Sequence, residues 1–297
     1  MSFYYGAASA VGAMIAFKVW EFFQYPSVKS IQGNCTQPLK TIGDEDSQDK
    51  VTVWGFEEVG THEHWNLGIS DDSPYVSRVE AYLRLIQQPY VKKESQGLME
   101  NPRGKVPVAN IKGQMVDDSS AIIATLQNVF DVKVDANLSQ EDLTKGYMIR
   151  QVLFGSLYWV LLHQKFETDF GRNTFIKHVA AKFPPVIRNL ICALVFRNMH
   201  ACLHGCGIGR MPHADIVKKG QADVRCLSQL LGKKKYFMGD GDKPTSYDSD
   251  VYCWLVMLFY DQAQKANPWI DDIKEECPNL VEHVDRMRAL LYPEESK

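Results

Sequence analysis

The chain has 297 residues, of which 45% are hydrophobic and 23% charged, and its net charge is −3. This composition excludes a disordered chain, and the length suffices for one large domain or two ordinary ones. Nucleic acid is not expected as a partner, because phosphate binding needs a basic patch and the strongest basic run is only Lys233-Lys234-Lys235. Seven scattered cysteines favour reduced, partly buried thiols over a disulfide framework.

The N-terminal segment, residues 1–25, is strongly hydrophobic, and residues 3–17 carry no charge. A 15-residue helix reaches about 22 Å, short of the roughly 30 Å of bilayer hydrocarbon, but extension to residue 23 restores the length and adds Lys18 and Glu21 near the end. We predict a membrane anchor over residues 3–23, with a buried or interfacial helix as the alternative. Because basic residues follow this segment, the main domains are expected in the cytosol, while a soluble cytoplasmic protein remains the alternative localisation.

A polar stretch over residues 26–50 is typical of a linker, and the pattern changes after it. Short β-branched and aromatic runs then alternate with segments of helical spacing. The predicted order is strand, helix, strand, strand, strand, helix, at residues 51–56, 73–86, 89–95, 105–111, 114–118 and 119–130. The order predicts a compact α/β domain over residues 51–132.

From residue 139 onward the apolar spacing is helical, which predicts an all-α domain over residues 133–297. Ser139 with Asp142, and Thr245 with Asp248, are N-cap pairs of the capping-box type. The predicted helices cover residues 139–167, 184–202, 213–231, 245–266 and 278–292.

This layout, a thioredoxin-like α/β domain followed by a helical domain, resembles that of glutathione transferases. Pro107 in "GKVPVANI" stands where the thioredoxin-like domain of that superfamily has its cis-proline. "DDSSAII" at 117–123 resembles the acidic-Ser signature that opens the next helix, and "TSYDSDVYCW" at 245–254 resembles the capping motif of the helical domain.

"HGCGIGR" followed by "LSQLLGKKKYFMGD" closely resembles the failed axon connections family, which is glutathione-transferase-like and related to the metaxins. The similarity covers roughly residues 51–292. Members of that family often carry an N-terminal hydrophobic segment, which agrees with the predicted anchor. The chain departs from the family pattern at Cys206, where the usual residue is a second histidine.

The stretch "HACLHGCGIGR" at 200–210 has the residue types of a metal site, but its spacing argues against one. On a helix His200 and His204 share one face while Cys202 and Cys206 share the opposite face, so one ion cannot collect all four, and we predict no metal. The glycine triplet follows a helix instead of a strand, which indicates a helix C-terminal cap and not a phosphate loop. His204 and Arg210 are expected to fix this turn by hydrogen bonds.

The resemblance implies glutathione as co-substrate, and a thiolate that attacks an electrophile. Ser73 precedes Pro74 at a helix N-terminus, where free N–H groups favour negative charge. It aligns with the first cysteine of the glutaredoxin pattern Cys-Pro-Tyr-Cys and Val76 with the second, so dithiol exchange is not expected. Ser73 is the candidate catalytic residue, donating a hydrogen bond to the thiolate; the alternative is a plain N-cap. Asp71 and Asp72 oppose the catalytic role, because they should raise a nearby thiol pKa.

The same resemblance assigns the rest of the glutathione site. Ser73 and Pro107 belong to it, and the backbone of Val106 would pair with the cysteinyl unit. Asp118 would hold the γ-glutamyl ammonium group, and Ser119 with the following N–H groups would hold its carboxylate; plain helix capping is the alternative for this pair. An electrophile pocket would draw on His62, His64, Tyr75 and Arg210.

Two functions remain open at this point. The first is a glutathione transferase acting on a small electrophile. The second is a non-catalytic interaction module that keeps the transferase fold at a membrane, as the metaxin relationship suggests. A homodimer is possible in either case.

Overall fold

The structure is a computed structural model that describes residues 51–56, 70–95, 105–178, 180, 184–261, 264 and 267–293. The predicted membrane anchor over 3–23 and the linker over 26–50 lie outside the described residues, as do His62 and His64.

The first half of the described chain is a four-stranded sheet with two helices, in the predicted order. Its elements are β1 (Val51–Gly55), α1 (Pro74–Leu85), β2 (Tyr90–Glu94), β3 (Val108–Ile111), β4 (Gln114–Asp117) and α2 (Ser119–Val129). The strand order is β2-β1-β3-β4, and β1 pairs in parallel with β2 and antiparallel with β3. Because parallel neighbours need a crossover, α1 connects β1 to β2.

The peptide bond between Val106 and Pro107 is cis, which confirms the expectation from the resemblance. It leads directly into β3, whose hairpin with β4 turns at Lys112 and Gly113, both at positive φ. The Asn110 side chain fixes this turn, since its Oδ1 accepts a hydrogen bond of 2.8 Å from the Gly113 N–H.

The second half is helical, and both predicted capping boxes are present at Ser139–Asp142 and Thr245–Asp248. Its α-helices are α3 (Gln140–Val152), α4 (Tyr158–Glu167), α5 (Asp169–His178), α6 (Pro185–Cys206), α7 (His213–Leu231), α8 (Ser246–Tyr260), α9 (Pro268–Glu276) and α10 (Pro278–Leu291). A π turn, Leu153–Leu157, joins α3 to α4, and a short 3₁₀ turn, Ile208–Arg210, follows α6.

Several boundaries differ from the prediction. The single helix expected over 139–167 is interrupted by the π turn, and the helices α5 and α9 were not predicted. Helix α6 runs to Cys206 instead of 202, because the left-handed residue that stops it is Gly207, at φ 95°. That glycine confirms the predicted helix C-terminal cap.

Each half has its own apolar core, and α1 lies between the two. Val76, Val79 and Leu83 of α1 pack in the sheet core, whereas Ala81 belongs to the core of the helical half. Helix α8 is the centre of the helical core, and Trp254 is its largest fully buried side chain. The six cysteines in the described ranges are all free thiols.

Candidate active site

The end of β1, the start of β3 and the end of β4 lie side by side at one edge of the sheet. Trp54 near the end of β1 pairs with Val108 at the start of β3, and Val108 pairs with Asp117 at the end of β4. The cis-proline Pro107 therefore lies beside the end of β1, and Asp118 follows the same edge. These two predicted site residues are brought together by the antiparallel register.

Ser73 is the N-cap residue of α1, with extended backbone at φ −96° and ψ 119°. Pro74 occupies the first helical position, as the sequence predicts. The Ser73 side chain is buried but makes no capping hydrogen bond, so the plain N-cap alternative lacks the contact that defines it. Its backbone N–H instead donates to Asp71 Oδ1 at 2.8 Å.

The two carboxylates beside the start of α1 both have cationic partners. Asp71 is buried, and Lys92 Nζ lies 3.0 Å from its Oδ2 and 3.3 Å from Glu80 Oε2. Burial raises the pKa of Asp71 to about 7, and the nearby Lys92 charge opposes this shift. Asp72 lies 3.4 Å from Nζ of Lys165, which comes from α4. These partners offset the negative charge that argued from the sequence against a thiolate here.

Gly55, the last residue of β1, allows Asp71 to approach this closely. A Cβ atom at position 55 would lie 2.5 Å from Asp71 Oδ2 and 2.7 Å from Val76 Cγ1. Both distances are too short for real contacts, so the position accepts only glycine without displacement of the start of α1. No local sequence pattern marks this glycine, because its neighbours Asp71 and Val76 are distant in the chain.

The acid–Ser pair at the start of α2 is already bonded within the protein. Asp118, at φ 68°, caps the helix: its Oδ1 accepts hydrogen bonds from the N–H groups of Ser120 and Ala121 at 2.9 and 3.1 Å. Asp118 is therefore the capping member of this pair, and Ser119 is the first residue of the helix. Ser119 is buried, and its Oγ accepts a hydrogen bond of 2.9 Å from Nη1 of Arg78.

Arg78 connects the sheet half to the helical half directly behind this site. Its Nε lies 2.6 Å from Asp250 Oδ1 on α8, and its guanidinium stacks 4.8 Å from the ring centre of Phe154. Arg150 on α3 completes the group, with Nε 2.6 Å from Asp250 Oδ2. The buried Asp250 carboxylate is thus shared by two guanidinium groups.

Tyr75 packs into an aromatic cluster at the boundary between the halves. Its ring centre lies 5.0 Å from that of Tyr158, 5.2 Å from that of Trp254 and 5.9 Å from that of Phe154. Burial raises the pKa of the Tyr75 hydroxyl, which therefore stays protonated at neutral pH. Tyr75 thus has a packing role in this structure.

A small cleft of about 30 Å³ opens next to the start of α1. It is lined by Asp72, Pro74, Tyr158, Leu161, Leu162, Lys165, Met257, Asp261 and Gln264. Lys165 is its cationic residue, and its ammonium group lies between Asp72 and the more distant Asp261, at 4.0 Å. Lys165 could not be predicted from the sequence, because nothing in the local pattern marks a lysine on a helix as functional.

Arg210 and the glycine-rich stretch lie elsewhere. Arg210 is exposed in the 3₁₀ turn and is not among the residues lining the cleft. Backbone bonds close the turn: Gly207 N–H donates to the His204 carbonyl, and Arg210 N–H to that of Gly207. The Cys206 thiol donates to the Leu203 carbonyl at 3.2 Å. Among the described residues, no three His, Cys, Asp or Glu side chains converge as a metal site.

The sheet half, the helical half that follows it and the cis-proline before β3 together identify the class of protein, which has the glutathione-transferase fold. Family models of the glutathione S-transferase N-terminal and C-terminal domains match residues 74–170 and 220–287. Failed axon connections of Drosophila melanogaster is 28% identical over 231 residues, covering 75% of this chain and 55% of that protein. The chain belongs to the glutathione-transferase-like failed axon connections family. It spans about half the length of the Drosophila relative.

A second relative is matched over almost its full length. The isoprene-epoxide–glutathione S-transferase of Rhodococcus sp. strain AD45 is 30% identical over 246 residues, covering 80% of this chain and 98% of that protein. Solved structures share the fold at low identity. Glutathione transferase GSTFuA3 of Phanerochaete chrysosporium is 13% identical, with a TM-score of 0.56, over 82% of this chain and 98% of that one. A family member from Pseudomonas fluorescens with two glutathione molecules bound is also 13% identical, with a TM-score of 0.52, over 84% and 94%.

Proposed function

We propose that the protein is a glutathione-dependent transferase in which the Ser73 hydroxyl donates a hydrogen bond to the glutathione thiolate. The observation that carries this proposal is the Ser73 side chain, which stands at the N-terminus of α1 and makes no capping bond. Helix N–H groups favour a thiolate at this point, and the partners of Asp71 and Asp72 offset the nearby carboxylate charge.

The electrophile proposed is a small epoxide, the class of compound after which the Rhodococcus relative is named. The thiolate sulfur would form a bond to a ring carbon while the carbon–oxygen bond breaks, and the oxygen would take a proton from water. The cleft beside Lys165 is the proposed place for this substrate, since it opens next to the start of α1.

Glutathione itself is proposed to bind along the cis-proline edge. The backbone of Val106, before Pro107, would pair with the cysteinyl unit. Asp118 uses only Oδ1 for capping, which leaves Oδ2 for the γ-glutamyl ammonium group. The γ-glutamyl carboxylate would face Ser119, whose hydroxyl hydrogen is still available to donate, and the Arg78 guanidinium behind Ser119 adds favourable positive charge.

The experiment compares Ser73→Ala with Ser77→Ala in the full chain. Ser77 is the matched control, because its hydroxyl lies one turn along α1 and donates to the Asp71 carbonyl at 3.2 Å. We expect Ser73→Ala to lower kcat/KM for epoxide conjugation about tenfold or more at neutral pH, as for loss of a charged hydrogen bond. Its pH profile should shift to higher pH. An unchanged rate and profile would remove Ser73 from the mechanism.

A second candidate function is a non-catalytic interaction module with the transferase fold. The bonds that Asp118 and Ser119 already make within the protein favour it, because both groups were expected to bind the tripeptide. This function predicts no glutathione binding. Calorimetric titration of the full chain with glutathione to about 10 mM separates the two, since a Kd in the micromolar to low millimolar range supports the enzyme.

Attachment to a membrane through residues 3–23, with the main domains in the cytosol, belongs to the same proposal, as does a homodimer. Fractionation of cells expressing the full chain, with and without residues 1–25, tests the anchor: the truncated chain should move from the membrane fraction to the soluble fraction.

A further inference from the structure

Helix α6 carries apolar side chains that no part of the described structure covers. Val186 is 84% exposed, Ile187 44% and Leu190 48%. Among the described residues α6 is the one helix long and apolar enough to cross a membrane, yet only 11% of its most apolar window is buried. A core helix of this composition would be mostly buried, so the exposed face of α6 suits an external partner.

The opposite face of α6 is packed on the protein. Cys192 and Leu203 are buried, and the ring of Phe196 lies 5.6 Å from that of Phe175 and 6.5 Å from that of Phe166, centre to centre. A helix held against its own domain along one side cannot be surrounded by lipid. Its geometry is therefore that of an interfacial helix and not of a membrane-spanning one.

The charge around α6 identifies the partner. Residues 170–214 contain no Asp or Glu, and all 36 acidic residues of the chain lie elsewhere. The same block holds six basic residues, Arg172, Lys177, Lys182, Arg188, Arg197 and Arg210. On α6 the exposed Arg197 continues the outward stripe of Val186 and Leu190, at helical spacing. Glu167 of α4 is a carboxylate that contacts this block, and it lies 3.1 Å from both His200, in the C-terminal half of α6, and Arg172. In the N-terminal half of α6, exposed apolar side chains on a helix without acidic residues complement an anionic lipid surface.

We propose that α6 docks on the surface of a bilayer rich in anionic lipid. Val186, Ile187 and Leu190 would enter the boundary between headgroups and acyl chains, while the exposed Arg197 on the same stripe would lie among the headgroups. A second copy of the chain is a poorer partner, because a two-fold interface would set this acid-free block against itself. The proposal is independent of the glutathione site.

The test uses the full chain with vesicles of phosphatidylcholine alone or with 30% phosphatidylserine, and measures amide hydrogen exchange in peptides from α6. We expect phosphatidylserine vesicles to slow exchange in the N-terminal half of α6, and 0.5 M salt to weaken the effect. Leu190→Glu should abolish this protection. Leu290→Glu on α10 is the matched control, since Leu290 is 47% exposed, and should retain it.

This local measurement is independent of residues 3–23, which would carry the chain to vesicles without protecting α6. A thermal midpoint equal to that of the native protein confirms that each variant folds. The proposal is overturned if α6 exchanges equally with and without anionic vesicles, or if Leu190→Glu stays protected. Concentration-dependent protection without vesicles would also overturn it, in favour of a second copy.

Discussion

Arg78 on α1 and Asp250 on α8 form a buried ion pair, 2.6 Å between Nε and Oδ1, across the boundary between the two halves of the protein. Arg78 also donates to Ser119 and Ser120 at the start of α2. The residue that connects the halves is thus bonded to the proposed glutathione site, so the site and the interface depend on one guanidinium group.

Replacement of Asp250 by asparagine should destabilise the protein strongly. Arg78 and Arg150 would lose their shared counter-charge in a buried place, which costs about 3–5 kcal/mol of unfolding free energy. Urea denaturation measures the loss. The control is Asp271→Asn, because Asp271 is 79% exposed and lies 3.9 Å from Lys274; its midpoint should not change. A loss below about 1 kcal/mol for Asp250→Asn would contradict the prediction.

The raised pKa of Asp71 predicts how the stability of the protein depends on pH. Its pKa of about 7 in the folded protein exceeds the ordinary value of 3.8, so the folded state binds more protons between these values. The unfolding free energy should therefore fall as pH rises from about 4 to 7, and Asp71→Asn should reduce that slope. The pKa of Glu80 is also raised by burial, and Glu80 adds to the same trend.

Asp142 supplies the control for this pH series. Bonds from Ser139 and from the Gly239 N–H lower the pKa of Asp142, so its contribution is present above the unfolded pKa and is lost as pH falls. Asp142→Asn should leave the slope between pH 4 and 7 unchanged. Chemical denaturation at each pH gives the slopes, and an equal slope for Asp71→Asn and the native protein would refute the assignment.

The end of β1 should not tolerate a side chain. In Gly55→Ala the new Cβ would push against the Asp71 carboxylate and Val76, which costs about 1–3 kcal/mol of unfolding free energy. Gly205→Ala in α6 is the matched control, because nothing lies within 4 Å of its added Cβ. That change should stabilise the helix by up to about 1 kcal/mol. Equal changes in the thermal midpoints of Gly55→Ala and Gly205→Ala would contradict the predicted clash at Gly55.

Lys165 should support the proposed thiolate through Asp72. In Lys165→Met the Asp72 charge beside the start of α1 is no longer paired, which raises the thiol pKa by about one unit and lowers kcat/KM about tenfold at neutral pH. Activity should recover at higher pH. Lys218→Met is the control, since Lys218 is 75% exposed and its ion pair, with Asp215, lies on the surface of α7. Superimposable pH profiles for Lys165→Met and the native protein would contradict this role.

The sequence predicted those features that depend on neighbouring residues. The capping boxes and the order of the first six elements follow from local patterns, and Pro107 from a family motif. The pairs Arg78–Asp250 and Lys165–Asp72 did not follow, because they join residues 172 and 93 positions apart. A single sequence does not indicate which of its distant charged residues form ion pairs until the fold is known.

Local patterns also left side-chain roles unresolved. Both Ser73 and Ser119 stand at helix starts and both resemble N-caps. In the structure Asp118 caps α2, Ser119 bonds to Arg78 and the Ser73 hydroxyl caps nothing. The difference depends on side-chain rotamers and on the position of Arg78, which α1 places beside Ser119. Sequence periodicity predicts neither of these.

The π turn Leu153–Leu157 sets the phase between the two helices it joins. Arg150 before it contacts Asp250, and Lys165 after it faces Asp72 and Asp261, so both cations point toward the same side of the helical half. In a regular α-helix, 15 residues would leave these side chains about 60° apart. The wider turn reduces that angle. These five residues thus act as a register correction, aligning the cation that shares Asp250 with Arg78 and the cation that faces the cleft.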